Sequence, residues 1–467
     1  MELIYPNRAL HWHDVIYRLQ KILADVPEVY LVGGTVRDTY RDRPFKDIDL
    51  TCAGDGQPVA RKIANGFKGD YYPLDAERGV GRAIIEFEGE KWVIDVASFR
   101  GDSLLADLQD RDFTINAMAV PLDSDLEGIY DPLGGIADLH QKILRRCTAH
   151  AIADDPIRAL RAVRQSLQHS LSIEPATKED VRREGQQITE SSPERIRDEF
   201  FAMLGSAKPH SGLLLLDTLE LLPLLLPEVA PLKADLQVWR FRLLVIERLT
   251  TLLTVISPSR DDNVAANASY GTFVYLLDRF RGFLRQHLEQ TWANDRSHRM
   301  LLIFAVLLHD STTSEIYERG MALRLSSPEI KRLQEISRIA RQPLELHAQA
   351  PLEPWQIYRF WRIAGAAGID ACLISAGYYL GERMNQFDVP NWTALLQTLG
   401  NLLGGYDSAM NVNMLISGND VMERFHLKPG PQIGALLEAL REAQALGHIT
   451  TVEAAFAYAE NWLKEPH

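Results

Sequence analysis

The spacing of apolar positions changes about one third of the way along the chain. Up to about residue 145, short β-branched and aromatic runs alternate with helix-like segments, and these runs predict strands at 28–32, 47–51, 82–87 and 91–97. Beyond residue 149 the apolar positions recur at helical spacing. The pattern therefore predicts a mixed α/β head domain followed by an all-α remainder.

The first predicted strand ends at two glycines. Gly33 and Gly34 directly follow the run from Glu28 to Val32. Glycine can adopt positive φ and lets backbone N–H groups approach a phosphate, and a helix beginning here would add its N-terminal dipole. Arg37 lies one helical turn farther on, where its guanidinium can pair with phosphate. Taken alone, the two glycines also fit an ordinary tight turn.

An acidic pair on the next predicted strand strengthens the phosphate interpretation. Asp47 and Asp49 are two residues apart, so on a strand their carboxylates point to the same face. Adjacent negative charges repel unless a cation lies between them, and Mg²⁺ prefers carboxylate oxygens together with substrate phosphates. The pair and the glycine turn together predict magnesium-dependent nucleotidyl transfer, whereas a solvated acidic strand edge would explain the pair alone.

Two later segments combine charges with apolar runs. Asp95 interrupts the apolar run 92–96, and it either completes the metal cluster or pairs with an arginine in the sheet. In the segment 107–119, Arg111 is the candidate contact to phosphate or ribose, and Asp112 could orient it. The alternative for this segment is a surface ion pair between Arg111 and Asp112.

A charged helix is predicted to begin near Asp155, because Pro156 stands at a favourable first helical position. Three arginines follow Asp155 at intervals of three residues, namely Arg158, Arg161 and Arg164. Asp155 could accept from the exocyclic amine of cytosine or adenine while Arg158 donates to the ring nitrogen, and guanine and uracil present the reverse order. The competing interpretation makes Asp155 an N-cap and the arginines a solvated face.

Together these motifs resemble those of class II tRNA nucleotidyltransferases, the CCA-adding enzyme family that shares its head domain with bacterial poly(A) polymerases. The glycine turn with Asp47-Ile48-Asp49 resembles the catalytic motif. Residues 111–117 resemble the ribose-recognising motif, residues 155–158 the amino-acid template, and residues 194–199 the helical motif that braces the template.

The resemblance implies that Asp47 and Asp49 bind Mg²⁺. It assigns nucleotide contacts to Gly34, Arg37, Arg111, Asp155, Arg158, Arg161 and Arg164, to which the two motifs add Gly33 and Asp112. It also implies that the protein binds tRNA at its 3′ end and acceptor region, and that the tail segments 415–420 and 428–434 grip the tRNA elbow.

Three positions depart from the family pattern. Asp110 stands where arginine is common, and Asp154 stands where glutamate is common. More importantly, only residues 101–106 separate Phe99-Arg100 from Asp107-Leu108, where full CCA-adding relatives carry a much longer flexible loop associated with switching from C to A addition. The short segment resembles that of enzymes that add only the two cytidines.

The expected function is therefore addition of two CMP residues from CTP to tRNA 3′ ends with release of pyrophosphate, without a nucleic-acid template. A companion enzyme would then add the terminal A. The alternatives are full CCA synthesis or A addition with ATP, poly(A) polymerase and, from a different class, a noncatalytic RNA-binding protein.

Length and composition agree with a multidomain enzyme. The chain has 467 residues, 46% of them hydrophobic and 24% charged, and its formal net charge is −13. Because RNA binding needs a basic surface, we expect a basic inner face, built mainly from the arginines after the head, on an acidic body. The sequence shows no run of membrane-span length and no signal-peptide pattern at its start, so a cytoplasmic protein without membrane attachment is expected.

The predicted domains are a catalytic head at 1–145, a helical neck at 146–205 that carries the template, a helical body at 206–335 and a helical, tRNA-binding tail at 336–467. Within the body, His309-Asp310 resembles the paired ligands of HD-type metal phosphohydrolases, but the metal set is incomplete. A degenerate, structural version of that site is favoured over an active hydrolase.

Overall fold

The computed structural model describes residues 2–257, 268–382 and 387–464. Contacts divide the chain into two compact units, one formed by Met1–Phe200 with Leu215–Leu225 and the other by Phe201–Leu214 with Leu226–His467. The finer division at 145, 205 and 335 stays a prediction.

The head contains a six-stranded mixed sheet with helices. Its strands are β1 (Val29–Val32), β2 (Asp47–Cys52), β3 (Asp70–Asp75), β4 (Val80–Phe87), β5 (Glu90–Ser98) and β6 (Ala119–Pro121). Its helices are α1 (Asp14–Ile22), α2 (Gly33–Tyr40), α3 (Gly56–Phe67), α4 (Leu104–Gln109) and α5 (Gly135–Gln141). The strand order is β3-β4-β5-β2-β1-β6, and β2 and β5 form the parallel pair. The predicted α/β class and all four predicted strands are confirmed, with ends shifted by one or two residues.

The period of two along the strands determines which side chains reach the site. On β2, Ile48 and Leu50 join the larger apolar core, and Ile94 on β5 joins the same core. Asp47, Asp49 and Asp95 are offset by one residue from these positions, so their side chains point to the opposite face of the sheet. Burial of the apolar set thus fixes the face on which the carboxylates lie.

Helical structure dominates after the head, as predicted. The elements up to residue 225 are β7 (Ile143–Leu144), α6 (Ala151–Asp154), α7 (Arg158–His169), β8 (Ser172–Ile173), α8 (Pro175–Glu184), α9 (Pro193–Leu204), α10 (Pro209–Thr218) and α11 (Leu222–Leu225). The predicted helix start near Asp155 is wrong by three residues. Asp155 is extended, at φ −151° and ψ 94°, and residues 156–157 form a turn before α7 begins at Arg158.

The helices that follow are α12 (Ala230–Ala234), α13 (Leu236–Ile256), α14 (Ala268–Leu277), α15 (Arg281–Leu288), α16 (His298–Leu307), α17 (Thr313–Ala322), α18 (Ser327–Ile339), α19 (Gln342–His347), α20 (Pro354–Ala364), α21 (Ala367–Glu382), α22 (Val389–Gly404), α23 (Tyr406–Met410), α24 (Gly418–Phe425), α25 (Pro431–Ala445) and α26 (Val452–Lys464). Residues 416–459 have an apolar core of their own, which includes Leu436 and Leu440.

No single helix in the described ranges has both the length and the apolar composition of a membrane span. Helices α20 and α21 meet those criteria only when they are taken together, and they are bent by 108° at their junction.

A buried carboxylate connects several helices of the second unit. Asp370 Oδ1 lies 2.6 Å from His287 Nε2 and 2.7 Å from His298 Nε2, and Arg332 Nη1 lies 3.2 Å from Oδ2. The indole N–H of Trp292 donates to His298 Nδ1 at 3.1 Å, so Nδ1 must accept and Nε2 must carry the proton. A metal bound through Nε2 would require the opposite tautomer, so the cluster is a hydrogen-bonded core element.

The HD-like residues are engaged in other contacts. The Asp310 carboxylate is bound by the buried guanidinium of Arg242, and the His309 ring packs edge-on against the Tyr378 ring at 5.6 Å. Both contacts support the structural interpretation of this segment.

Candidate active site

The candidate site lies on the polar face of the head sheet. Asp49 on β2 is in direct register with Asp95 on β5, and Asp47 lies one side-chain repeat earlier along β2. Asp47 is exposed, whereas Asp49 is partly buried. The structure thus brings the three predicted carboxylates to one face, and it places two of them on neighbouring strands.

The glycine turn packs directly on Asp49. Gly33 has φ +66° and begins α2, as the sequence predicts. A Cβ atom at Gly33 would lie 3.0 Å from Asp49 Oδ2 and 3.4 Å from Arg111 Nη1. On the next residues of α2, the Thr35 hydroxyl accepts from the Asp49 backbone N–H at 2.9 Å, which holds β2 against the helix.

Replacing Gly33 with alanine is expected to lower nucleotide incorporation at least about tenfold, because the added methyl group crowds the Asp49 carboxylate. The positive φ adds a backbone penalty of about 1–2 kcal/mol. Gly89→Ala is the matched control, since Gly89 has φ +79° and a Cβ atom added there would meet nothing within 4 Å. Both variants should melt at lower temperature than the wild type, but only Gly33→Ala should lose incorporation. Equal activity of the two variants would contradict the assigned contact.

The electrostatics of the acidic face favour a bound cation. Burial raises the pKa of the Asp49 carboxyl, and the charges of Asp95 and Asp47 raise it further against the opposing effects of Arg111 and Arg37. A hard divalent cation would relieve this repulsion, and Asp47 and Asp49 supply the carboxylate oxygens that Mg²⁺ prefers. The residues present therefore fit a magnesium site.

Asp95 is paired within the sheet. The Arg82 guanidinium on β4 binds both of its oxygens, with Nε–Oδ1 at 2.7 Å and Nη2–Oδ2 at 2.8 Å. This contact matches the alternative in which Asp95 pairs with an arginine in the sheet. For Asp95 also to bind a metal, its carboxylate oxygens would have to be shared with Arg82.

Arg111 and Asp112 belong to separate hydrogen-bond networks. Arg111 Nη2 bonds to the buried Asp107 carboxylate at 2.9 Å, within α4 and the residues that follow it. Asp112 is itself buried and accepts from the Phe113 N–H at 2.8 Å and from Asn116 Nδ2 at 2.9 Å. The predicted alternative, a surface ion pair between Arg111 and Asp112, is therefore wrong.

Asp155 faces an arginine from another helix. Arg195 on α9 binds both Asp155 oxygens, at 3.1 and 2.7 Å, while Arg158 Nε lies 3.9 Å from Asp155 Oδ2. Arg158 is buried and donates to the carbonyls of Ala151 and Asp110, at 3.0 and 2.7 Å. The N-cap interpretation of Asp155 is wrong, because the cap position of α7 is Ile157.

The other two template arginines share one carboxylate. Glu199 on α9 accepts from Arg161 Nε at 2.9 Å and from Arg164 Nε at 2.6 Å. Helix α9 therefore holds the charged residues of the template at both ends, Asp155 through Arg195 and Arg164 through Glu199. The resemblance of residues 194–199 to the bracing motif implies this arrangement. The arginines do not form a freely solvated face.

The predicted site residues line a cleft of about 1520 Å³ that lies within the first unit. This volume exceeds that of an ordinary small-ligand pocket, about 300–1000 Å³. Ten arginine and lysine residues and nine aspartate and glutamate residues line it, so the cleft is near charge balance although the chain carries a net charge of −13. The expected basic inner face is therefore basic only relative to the rest of the chain.

Four polar residues of the site were not predicted individually: Thr35, Asp107, Asn116 and Gln165. Asn116 stands inside the segment that resembles the ribose motif and bonds to Asp112 of that segment, but its other two partners, Arg37 and Gln165, come from distant segments. Gln165 follows Arg164 on α7 and lies outside the three-residue spacing of the arginines, and its burial at 5% exposure is visible only in the folded chain. For both residues the local pattern held no signal of the partner.

Comparisons with known proteins agree with this geometry. The model of the poly(A) polymerase head domain matches residues 29–145, and that of the probable RNA and SrmB-binding site of polymerase A matches residues 170–233. The CC-adding tRNA nucleotidyltransferase of Geobacter sulfurreducens is 30% identical over 426 residues, covering 90% of this chain and 89% of that protein. The A-adding tRNA nucleotidyltransferase of Deinococcus radiodurans is 28% identical and covers 94% and 96%, respectively.

A solved structure shares the fold. The Thermotoga maritima CCA-adding enzyme complexed with tRNA is 19% identical and aligns with a TM-score of 0.62 over 97% of this chain and 95% of that one. The predicted family and fold class are thus confirmed. Because identity reaches 30% over nine tenths of the chain, the protein belongs to the tRNA nucleotidyltransferase family of CCA-adding type, and it is an enzyme of that family.

Proposed function

We propose that this protein adds the two cytidylates of the 3′-terminal CCA to tRNA, using CTP and releasing pyrophosphate. The observation that carries the proposal is the short connection between β5 and α4. Strand β5 ends at Ser98 and α4 begins at Leu104, so five residues join them. The family resemblance associates a long flexible loop at this place with the switch to A addition.

The connection is also held at both ends. The Ser103 hydroxyl caps α4 by accepting from the Ala106 N–H at 3.2 Å, and the Arg100 N–H bonds to the buried Asp107 carboxylate at 3.2 Å. Arg100 Nη1 donates to the Asp110 carbonyl at 3.3 Å and lies 3.7 Å from the Asp110 carboxylate. A segment that is so short and is held by these hydrogen bonds has little freedom to change conformation between C addition and A addition. This rigidity supports arrest after the second C.

In this proposal the head binds the triphosphate and the RNA end. Asp47 and Asp49 hold Mg²⁺, which would activate the attacking 3′-hydroxyl and neutralise charge on the leaving pyrophosphate. The Gly33-Gly34 turn and Arg37 receive the phosphates, while Arg111 and Asp112 position the ribose. The chemistry is then displacement at the α-phosphate of CTP, with proximity supplied by the cleft.

Base selection is assigned to α7 and its brace. A carboxylate has about four lone-pair sites, and Arg195 occupies one on each oxygen of Asp155. Asp155 therefore keeps acceptor capacity for the exocyclic amine of cytosine, and we assign the donor to the adjacent ring nitrogen to Arg158, whose Nε lies 3.9 Å from Asp155 Oδ2. Arg161 and Arg164, held by Glu199, complete the positive side of the nucleotide pocket.

A addition is the second candidate, because a relative of 28% identity carries that name. Full CCA synthesis is the third, and poly(A) polymerase shares the head. In the CC-adding case a companion enzyme must add the last nucleotide. The tail segments 415–420 and 428–434 are proposed to contact the tRNA elbow.

The test uses tRNAs that end before C74, at C74 and at C75, incubated with purified protein, Mg²⁺ and CTP, ATP or both. We expect products that end at C75 even with both nucleotides present. Extension to A76 from every substrate would replace the proposal with full CCA synthesis, addition of A to C75 alone would indicate the A-adding type, and long A tails would indicate poly(A) polymerase. Products are sized at single-nucleotide resolution.

A further inference from the structure

A chain of four buried, hydrogen-bonded side chains connects the phosphate and sugar sides of the cleft to helix α7. Arg37 Nη1 lies 2.5 Å from Asn116 Oδ1, and Asn116 Nδ2 lies 2.9 Å from Asp112 Oδ1 and 3.0 Å from Gln165 Oε1. Gln165 Nε2 lies 3.4 Å from Asp112 Oδ2. All four side chains are at least nine-tenths buried, with exposures of 5–8%.

The donor and acceptor roles along this chain are fixed by its ends. A guanidinium can only donate, so Asn116 Oδ1 must accept from Arg37 and Asn116 Nδ2 must point the other way. The two amide protons of Asn116 then meet Asp112 and the Gln165 carbonyl oxygen. This leaves the Gln165 NH₂ group facing the Asp112 carboxylate, which can only accept when ionised. One orientation therefore satisfies every member.

Gln165 completes the support of Asp112. Oδ1 of Asp112 is held by the Phe113 N–H and by Asn116, both from its own segment. Oδ2 is held from α7, by Gln165 at 3.4 Å and by Arg161 at 3.7 Å. Burial alone would raise the pKa of Asp112, but Arg161 and the hydrogen bonds from Asn116 and Phe113 hold it below its ordinary value. Asp112 is thus an ionised acceptor.

We propose that Gln165 is a positioning residue that couples the sugar-binding carboxylate to the base-selecting helix. Gln165 lies on α7, the helix that also carries Arg158 and Arg161, and from there it fixes the side-chain conformations of Asp112 and Asn116. Contacts to the sugar and to the base therefore form together. This inference rests on the proposed nucleotide-binding roles of Asp112 and α7. Gln165 itself stays behind Asp112 and acts through it.

The experiment measures discrimination between CTP and 2′-deoxy-CTP with full-length protein and a tRNA lacking its 3′ CCA. Gln165→Met keeps the length and volume of the side chain but removes both hydrogen bonds. We expect the ratio of kcat/KM for CTP to that for 2′-deoxy-CTP to fall about tenfold, as for loss of a hydrogen bond to a charged group. KM for CTP should rise more than kcat falls. Gln186→Leu, at an exposed glutamine outside the cleft, should leave the ratio unchanged.

Gln165→Glu separates positioning of Asp112 from simple filling of the core. It keeps an acceptor for Asn116 but loses the donor to Asp112 and sets two carboxylates side by side, so its ratio should fall at least as far as that of Gln165→Met. Restoration of the wild-type ratio by glutamate would overturn the proposal. An equal loss of kcat/KM for both nucleotides in a folded Gln165→Met variant would also overturn it, because that result marks a general structural role.

Failure of the CC-adding proposal is distinguishable from failure of this one. If the wild type uses ATP instead of CTP, the same comparison is made between ATP and 2′-deoxy-ATP. A lower ratio in the variant then supports the role of Gln165, and an unchanged ratio overturns it.

Discussion

Replacing Asp49 with asparagine is expected to lower nucleotide incorporation at least about 100-fold, as for loss of a preorganised charge contact at a reaction centre. The variant keeps the shape of the side chain and the backbone bond to Thr35, which does not involve the carboxylate. It removes one of the two carboxylates proposed to hold Mg²⁺. Incorporation is measured with tRNA lacking its 3′ CCA, and tRNA binding is measured separately by fluorescence anisotropy.

Stability should change in the opposite direction to activity. Since burial and the neighbouring carboxylates raise the pKa of Asp49, its charge is unfavourable in the folded protein without metal. The asparagine variant should therefore melt no lower than the wild type when Mg²⁺ is absent. Moreover, Mg²⁺ should raise the melting temperature of the wild type more than that of the variant.

Asp42→Asn is the matched control, because Asp42 is exposed and lies outside the cleft. It should retain incorporation, tRNA binding and the response to Mg²⁺. If Asp49→Asn incorporated nucleotide within a few-fold of the wild-type rate, the assignment of the acidic pair as the reaction centre would be refuted.

Replacing Asp370 with alanine is expected to lower the free energy of unfolding by about 3–5 kcal/mol, the usual effect of removing one partner from a buried charged cluster. His287, His298 and Arg332 would each lose the same acceptor in a region without solvent access to replace it. Urea unfolding, followed by the fluorescence of the eight tryptophans, measures the change.

The same cluster predicts a pH dependence. Although burial opposes it, the imidazoles of His298 and His287 hold the pKa of Asp370 below its ordinary value of 3.8. A depressed folded-state pKa contributes stability that is present above the unfolded value and is lost as the pH falls below it. The stability difference between wild type and Asp370→Ala should therefore narrow as the pH falls below about 4.

Glu289→Ala provides the control for this effect, since Glu289 forms an exposed pair with Arg285 one turn away. It should lower the unfolding free energy by less than about 1 kcal/mol. An Asp370→Ala variant no less stable than this control would show that the cluster carries little net stability.

The local sequence pattern was sufficient to predict a feature of the site wherever that feature depended on a single strand or turn. The β2 alternation placed Asp47 and Asp49 on one face, because a strand has a period of two and its other face is buried. The glycine turn was predicted for a similar local reason, since Gly33 requires a positive φ directly after a buried strand. These features depend on neighbours within a few residues.

Predictions failed where a distant residue competed with a local preference. Asp155 and Pro156 favour a helix start, but Asp155 adopts an extended conformation and binds Arg195, forty residues later in the chain. The alternative pairing of Arg111 with Asp112 failed for a local reason instead, because Arg111 bonds to Asp107, four residues earlier in the chain. A sequence motif records which groups are present but not which group each one binds.

The sequence by itself determined the family, the α/β head with helices after it, and the groups from which the site is built. Only the tertiary structure decided how those groups are shared: Arg82 binds Asp95, Glu199 binds Arg161 and Arg164, and Gln165 holds Asp112. The physical reason is the distance along the chain over which each effect acts. Helix and strand periods act over a few residues, whereas each of these contacts joins two segments that only the folded chain brings together.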